Sequence, residues 1–83
     1  MRQEDLLQAL RTQPFRPFRI HVTDGASYDV RHPDLVLVTP AYALIGFPAA
    51  AEPPPAIERH DLVDLFHVTR IEPIGSQPVA SKA

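Results

Sequence analysis

Eighty-three residues with ten prolines, no cysteine and no tryptophan leave room for one domain. The lack of cysteine excludes disulfides, thiolate zinc sites, iron–sulfur ligation and cysteine nucleophiles, and it favours the cytoplasm over an oxidising compartment. A formal charge of −2 lacks the basic excess that phosphate neutralisation asks of a nucleic-acid binder.

Met1 leads directly into Arg2-Gln3-Glu4-Asp5, so no signal peptide is expected. Residues 3–12 read as a short helix, with Leu6, Leu7 and Leu10 on one stripe. Glu4 and Asp5 at its start and Arg11 at its end suit the helix dipole, and Pro14 stops it. Pro14-Phe15-Arg16-Pro17-Phe18 is a rigid connector in which two prolines fix φ, and Phe15 and Phe18 are its anchors to the core.

The clearest pattern follows. Phe18-Arg19-Ile20-His21-Val22-Thr23 alternates apolar with polar, and so does Ala26-Ser27-Tyr28-Asp29-Val30-Arg31. Asp24-Gly25 joins them, which predicts a β-hairpin with a type I′ turn. Phe18, Ile20, Val22, Tyr28 and Val30 face one side; Arg19, His21, Thr23, Ser27, Asp29 and Arg31 face water.

His32-Pro33-Asp34 is a corner. Leu35-Val36-Leu37-Val38 is an unbroken apolar strand, expected to be covered on both faces. Thr39-Pro40-Ala41 turns the chain into the strand Tyr42 to Phe47, an apolar stretch far below the ~20 residues of a membrane span. Residues 48–56 carry four prolines without periodicity and read as a loop. Ile57 to Val63 resumes as a strand, Leu65 to Val68 as a tight turn, and Thr69 to Glu72 as a last short strand before Pro73. Residues 75–83 have little to bury and are expected to form a disordered tail.

The expected architecture is therefore mainly β with an N-terminal helix. Its short strands are expected to curl into a small five-stranded SH3/Sm-like barrel over residues 1–74, because closure removes exposed sheet edges.

Two resemblances bear on this. PFRPFRIHVTDGASYDVRHPDLVLV, with DLFHVTRIEPI later, resembles a family of short uncharacterised bacterial proteins. Its members share a Leu-rich helix, a Pro-Phe-x-Pro-Phe segment, an Asp-Gly hairpin, a His-Pro corner and a final Val-Thr-x-Ile-Glu. That resemblance brings no function with it. At the level of architecture the chain also resembles Sm-like and SH3-like barrels. His67-Val68-Thr69-Arg70-Ile71-Glu72-Pro73 is similar to the end of a bacterial Sm-like RNA chaperone, where a short turn leads into the last strand. The Lys-His pair of such chaperones corresponds here to Leu65 and Phe66, so no RNA-binding residue carries over. Fold alone does not fix function.

Four histidines, His21, His32, His60 and His67, are the main candidate metal ligands, but zinc needs three or four converging donors. The ring of His32 is expected to cap a backbone group instead, and no metal or other cofactor is assigned. Asp61 and Asp64 could form an acid/base pair only if burial separated their pKa values. Asp64 is instead expected to accept backbone N–H bonds in the turn before Thr69. No catalytic set emerges.

Two surfaces remain. Arg16, Arg19, His21 and Arg31 share the hairpin's outer face and could meet a nucleic-acid backbone; the competing reading is a solvated face paired with Asp24 and Asp29. Val36, Val38, Tyr42, Leu44 and Phe47 are more apolar residues than so small a barrel can bury, unless the helix covers them. They are the candidate interface for self-association or a protein partner. Pro53-Pro54-Pro55 lacks flanking arginine at useful spacing and reads as a spacer. The sequence points to a non-enzymatic interaction module without membrane association, with an oligomeric Sm-like RNA binder as the alternative.

Overall fold

The computed structural model describes residues 1–75. One helix, α1 (Gln3–Arg11), precedes six strands: β1 (Phe18–Val22), β2 (Ser27–Val30), β3 (Val36–Val38), β4 (Tyr42–Pro48), β5 (Ile57–Asp64) and β6 (Val68–Pro73). Two 3₁₀ turns, Pro33–Leu35 and Leu65–His67, lead into β3 and β6. The fold is mainly β with one N-terminal helix. Residue 75 is exposed, and the remainder of the expected tail lies outside the described residues. Among the described residues no helix is long and apolar enough to cross a membrane.

The strands form two antiparallel three-stranded sheets, ordered β2-β1-β6 and β3-β4-β5. The single closed five-stranded sheet expected from the sequence is not seen as one continuous ladder. Among the described residues no ladder joins β2 to β3 or β5 to β6. The reason lies in the two 3₁₀ turns, each of which carries the chain from one sheet to the other. Pro33, in the first, has no N–H to donate to a continuous ladder.

The hairpin registers as the alternation predicts, with Phe18 opposite Val30 and Ile20 opposite Tyr28. Its turn differs. A type I′ turn over Asp24-Gly25 needs positive φ at both residues. Only Gly25 has it, at +92°. The Gly25 N–H donates to the Val22 carbonyl at 3.0 Å, so Thr23 and Asp24 occupy the corner and Gly25 follows as a bulge. The Asp24 carboxylate accepts from the Ala26 N–H at 2.9 Å, which holds the corner.

The second hairpin is organised by Thr39. Its hydroxyl oxygen accepts from the N–H groups of Ala41 and Tyr42 at 3.1 and 2.9 Å. Its own N–H donates to the Tyr42 carbonyl at 2.8 Å. That turn sets Val38 opposite Ala43 and Val36 opposite Ile45.

The core lies between the sheets. Phe18, Ile20, Val30 and Val68 enter from one side, and Val36, Ala43, Ile45 and Val63 from the other. Leu6 and Leu10 of α1 join the same core, fully and almost fully buried. A helix of nine residues is marginal alone in water. Burial of the two leucines, at about 1.5–3 kcal/mol each, is what holds it. The first turn of α1 lies near Pro40, Ala41 and Leu65, while Ala9 and Thr12 lie near Pro17, Phe18 and Ile71. The helix thus bridges the two sheets. It leaves the outer face of β3-β4-β5 uncovered.

Candidate interaction surface

On β3-β4-β5 the inner positions are Val36, Val38, Ala43, Ile45 and Val63. The alternate positions face outward. Leu37 stands directly opposite Leu44, and Leu44 directly opposite Leu62. Opposite residues of an antiparallel ladder lie about 5 Å apart, so the three leucines form a row across the whole sheet. Leu37 is 65% and Leu62 61% exposed, whereas Leu44, flanked by both, is half-buried.

The row has apolar neighbours. Tyr42, two residues before Leu44, is exposed on the same face. Phe66, in the second 3₁₀ turn, is 89% exposed and lies beside Pro40 and Ala41. Gly46 is buried because Ile57 lies over it; a β-carbon there would come within 2.6 Å of the Ile57 methyl group. Exposed apolar residues are ordinary singly. A contiguous stripe on a sheet face is a candidate interaction surface.

The residues expected to form the candidate interface are therefore divided. Tyr42 and Leu44 lie on the outer face. Val36 is buried at 4% exposure, and Val38 and Phe47 are half-buried on the inner side. The expectation that Leu35 to Val38 is covered on both faces is corrected by Leu37. The helix packs into the gap between the sheets and not across their backs. Leu37, Leu62 and Phe66 belong to the surface without having been singled out by the sequence pattern. A signal for Leu62 is present in it: Glu58, His60, Leu62 and Asp64 alternate as outward positions, with one leucine in a polar series.

The outer face of β2-β1-β6 has the opposite character. The Arg19 Nε donates to Asp29 Oδ1 at 2.6 Å, and Arg31 approaches the other Asp29 oxygen at 3.6 Å. His21 Nε2 and Glu72 Oε1 lie 2.8 Å apart, with Arg70 3.7 Å from the same oxygen. The Asp29 carboxyl is held below its ordinary pKa, first by the Arg19 hydrogen bond. Glu72 is lowered too, first by its bond with His21. Arg19, His21 and Arg31 are thus brought together but compensated by acids, while Arg16 stands apart on the connector near Pro17 and Pro73.

A third arrangement joins the sheets. The Tyr28 hydroxyl of β2 donates to Asp61 Oδ2 of β5 at 2.8 Å, and Arg59 sits 4.0 Å from the centre of the Phe47 ring. Asp61 and Asp64 differ in strand parity and face opposite sides of their sheet. The Asp64 carboxylate accepts from the Phe66 N–H at 2.9 Å, so the pair does not converge for acid/base work. His32 makes no side-chain cap, contrary to expectation. Among the described residues no three histidine or carboxylate side chains gather as metal donors do.

Comparison with known protein families, curated proteins and solved structures returns no match.

Proposed function

We propose that this chain is a small, cytoplasmic, non-enzymatic interaction module that binds protein through the outer face of β3-β4-β5. The observation that carries the reading is the exposed Leu37–Leu44–Leu62 row. Removing such a surface from water stabilises a complex by about 25 cal/mol for each Å² buried, before the costs of association.

The strand order supports a barrel-like plan. With β2 and β3 taken as one strand broken at His32-Pro33, five strands follow in the SH3/Sm-like sequence, with a 3₁₀ turn before the last. Membership of the short bacterial family is part of the proposal. The same plan leaves an oligomeric RNA binder as the second reading. A salt-dependent shift with short single-stranded RNA would support it, and no shift at low salt excludes it.

The test of the first reading is a pull-down from the source cell. The bait is the wild-type chain beside a Leu37→Lys/Leu62→Lys double variant. Wild type is expected to retain protein that the variant loses. Equal retention by both baits overturns the assignment to this face.

A further inference from the structure

The sheet edges are unequally protected. β2 has four residues and β3 has three. β6 has six, ends in Pro73 and carries an irregularity opposite His21 and Val22. β5 is the longest edge strand at eight residues; it has no proline, and it carries charges of both signs at Glu58, Arg59, Asp61 and Asp64. Its ladder with β4 shifts only at Phe47/Pro48, so Arg59 to Asp64 is regular. Natural proteins shorten, bulge or charge an edge they keep solitary; β5 is charged, but from Arg59 to Asp64 it is neither shortened nor bulged.

The hydrogen-bond phase of this edge is readable. The Leu65 N–H donates to the Ala41 carbonyl at 3.0 Å. Backbone groups of an antiparallel strand alternate in direction. Those of His60, Leu62 and Asp64 therefore point away from β4, toward the edge that no described strand pairs. The leucine row ends at this same edge, because Leu62 is its last member.

The geometry points to a second copy of this chain as the occupant: two β5 edges pair antiparallel about a two-fold axis at Leu62. This inference rests on the interaction-module reading and names its partner. Leu62 then meets the second copy's Leu62, and the row runs unbroken across six strands. On either side of the axis, His60 faces the second copy's Asp64, a complementary pairing. Centring on Asp61 instead would set Asp61 against Asp61 and Glu58 against Asp64, which like charges oppose. Centring on His60 would set Leu62 against Glu58 and break the row. That register would also need Arg59 and Asp61, which already engage Phe47 and Tyr28. A two-fold contact is self-complementary and closes at the dimer.

Sedimentation velocity on the full chain tests the stoichiometry. Wild type is expected at twice the chain mass, Leu62→Lys at the monomer mass, and Leu37→Lys, remote from the axis, still as dimer. The chain has no cysteine, so single cysteines report the register. Across the axis the two Cα atoms at residue 62 would lie about 5.5 Å apart, within the span a disulfide bridges. Oxidised Leu62→Cys is expected to run as a covalent dimer, whereas His60→Cys and Leu37→Cys stay monomeric in denaturant. A wild-type monomer at about 1 mM overturns the dimer. So does a dimer that Leu62→Lys leaves intact, or a Leu62→Cys chain that does not cross-link. If wild type is monomeric yet retains a foreign protein that the double variant loses, the dimer falls and the module reading stands. If it retains nothing, both fall.

Discussion

Tyr28 of β2 donates its hydroxyl hydrogen to Asp61 of β5 at 2.8 Å, a side-chain bond that ties one sheet to the other. The Phe47 ring lies 6.0 Å from Tyr28, tilted against it, and carries Arg59 on its face. This bond and the two 3₁₀ turns do what a closed ladder would otherwise do.

The bond holds the Tyr28 phenol above its ordinary pKa of 10.0, first through the hydrogen bond to Asp61 and then through burial. A pKa raised by folding adds stability that is full below the unfolded value and is lost as pH rises through the folded one. Phenolate absorbance in a Tyr42→Phe background should show Tyr28 titrating late, and Asp61→Asn should bring it back toward 10.0. A titration that Asp61→Asn leaves unmoved would contradict the bond. Tyr28→Phe should cost about 1 kcal/mol in urea unfolding.

At the acid end, the outer face of β2-β1-β6 is expected to contribute to stability. Asp29 and Glu72 are lowered from ordinary values of 3.8 and 4.5 by Arg19 and His21 respectively. A depressed carboxyl contributes stability that is full above the unfolded pKa and is lost as pH falls through the folded one. Urea midpoints should therefore drop as pH falls from about 5 toward about 2. Asp29→Asn should start lower at neutral pH and fall less steeply. Parallel curves for wild type and variant would show that Asp29 has no part in the acid transition.

Docking of α1 depends on Leu6, which is fully buried. Leu6→Ala should cost about 2–5 kcal/mol, a large share of the stability of so small a domain. Leu7, half-buried on the same helix, should cost much less when truncated. Equal losses at Leu6 and Leu7, measured by thermal unfolding, would mean that the helix is not seated by Leu6.

Gly46 and Ile57 should prove coupled. A β-carbon at residue 46 would lie 2.6 Å from the Ile57 Cγ2 and 3.3 Å from the Leu35 carbonyl oxygen. Gly46→Ala is expected to cost about 1–3 kcal/mol through overpacking. Adding Ile57→Ala, at a residue 39% exposed, should recover most of that loss. Additive effects in the double-mutant cycle would show that the two do not touch.

The elements with a clear period are legible in the amino-acid sequence. Phe18 to Val22 and Ser27 to Val30 alternate strictly, and their pairing as a hairpin and their inner face follow from that. The stripe of Leu6 and Leu10, the His32-Pro33 corner and the turn ahead of Val68 are equally readable, each resting on local stereochemistry. The type of turn at Gly25 is not. An Asp-Gly pair serves both a type I′ turn and a bulged one, and the pairing of Val22 with Ala26 decides between them.

The candidate surface depends on tertiary structure for a related reason. Leu35-Val36-Leu37-Val38 and Ala43-Leu44-Ile45 are apolar at both parities, so period two cannot say which residues face inward. The Thr39 turn sets Val36 opposite Ile45, β5 sets Leu44 opposite Leu62, and the helix fills the gap between the sheets. Sequence alone raised the expectation of spare apolar strand surface, placed at Val36, Val38, Tyr42, Leu44 and Phe47. Only long-range register decided that the outward apolar residues are Leu37, Leu44 and Leu62, because a one-residue change of phase moves every side chain of a strand to its other face.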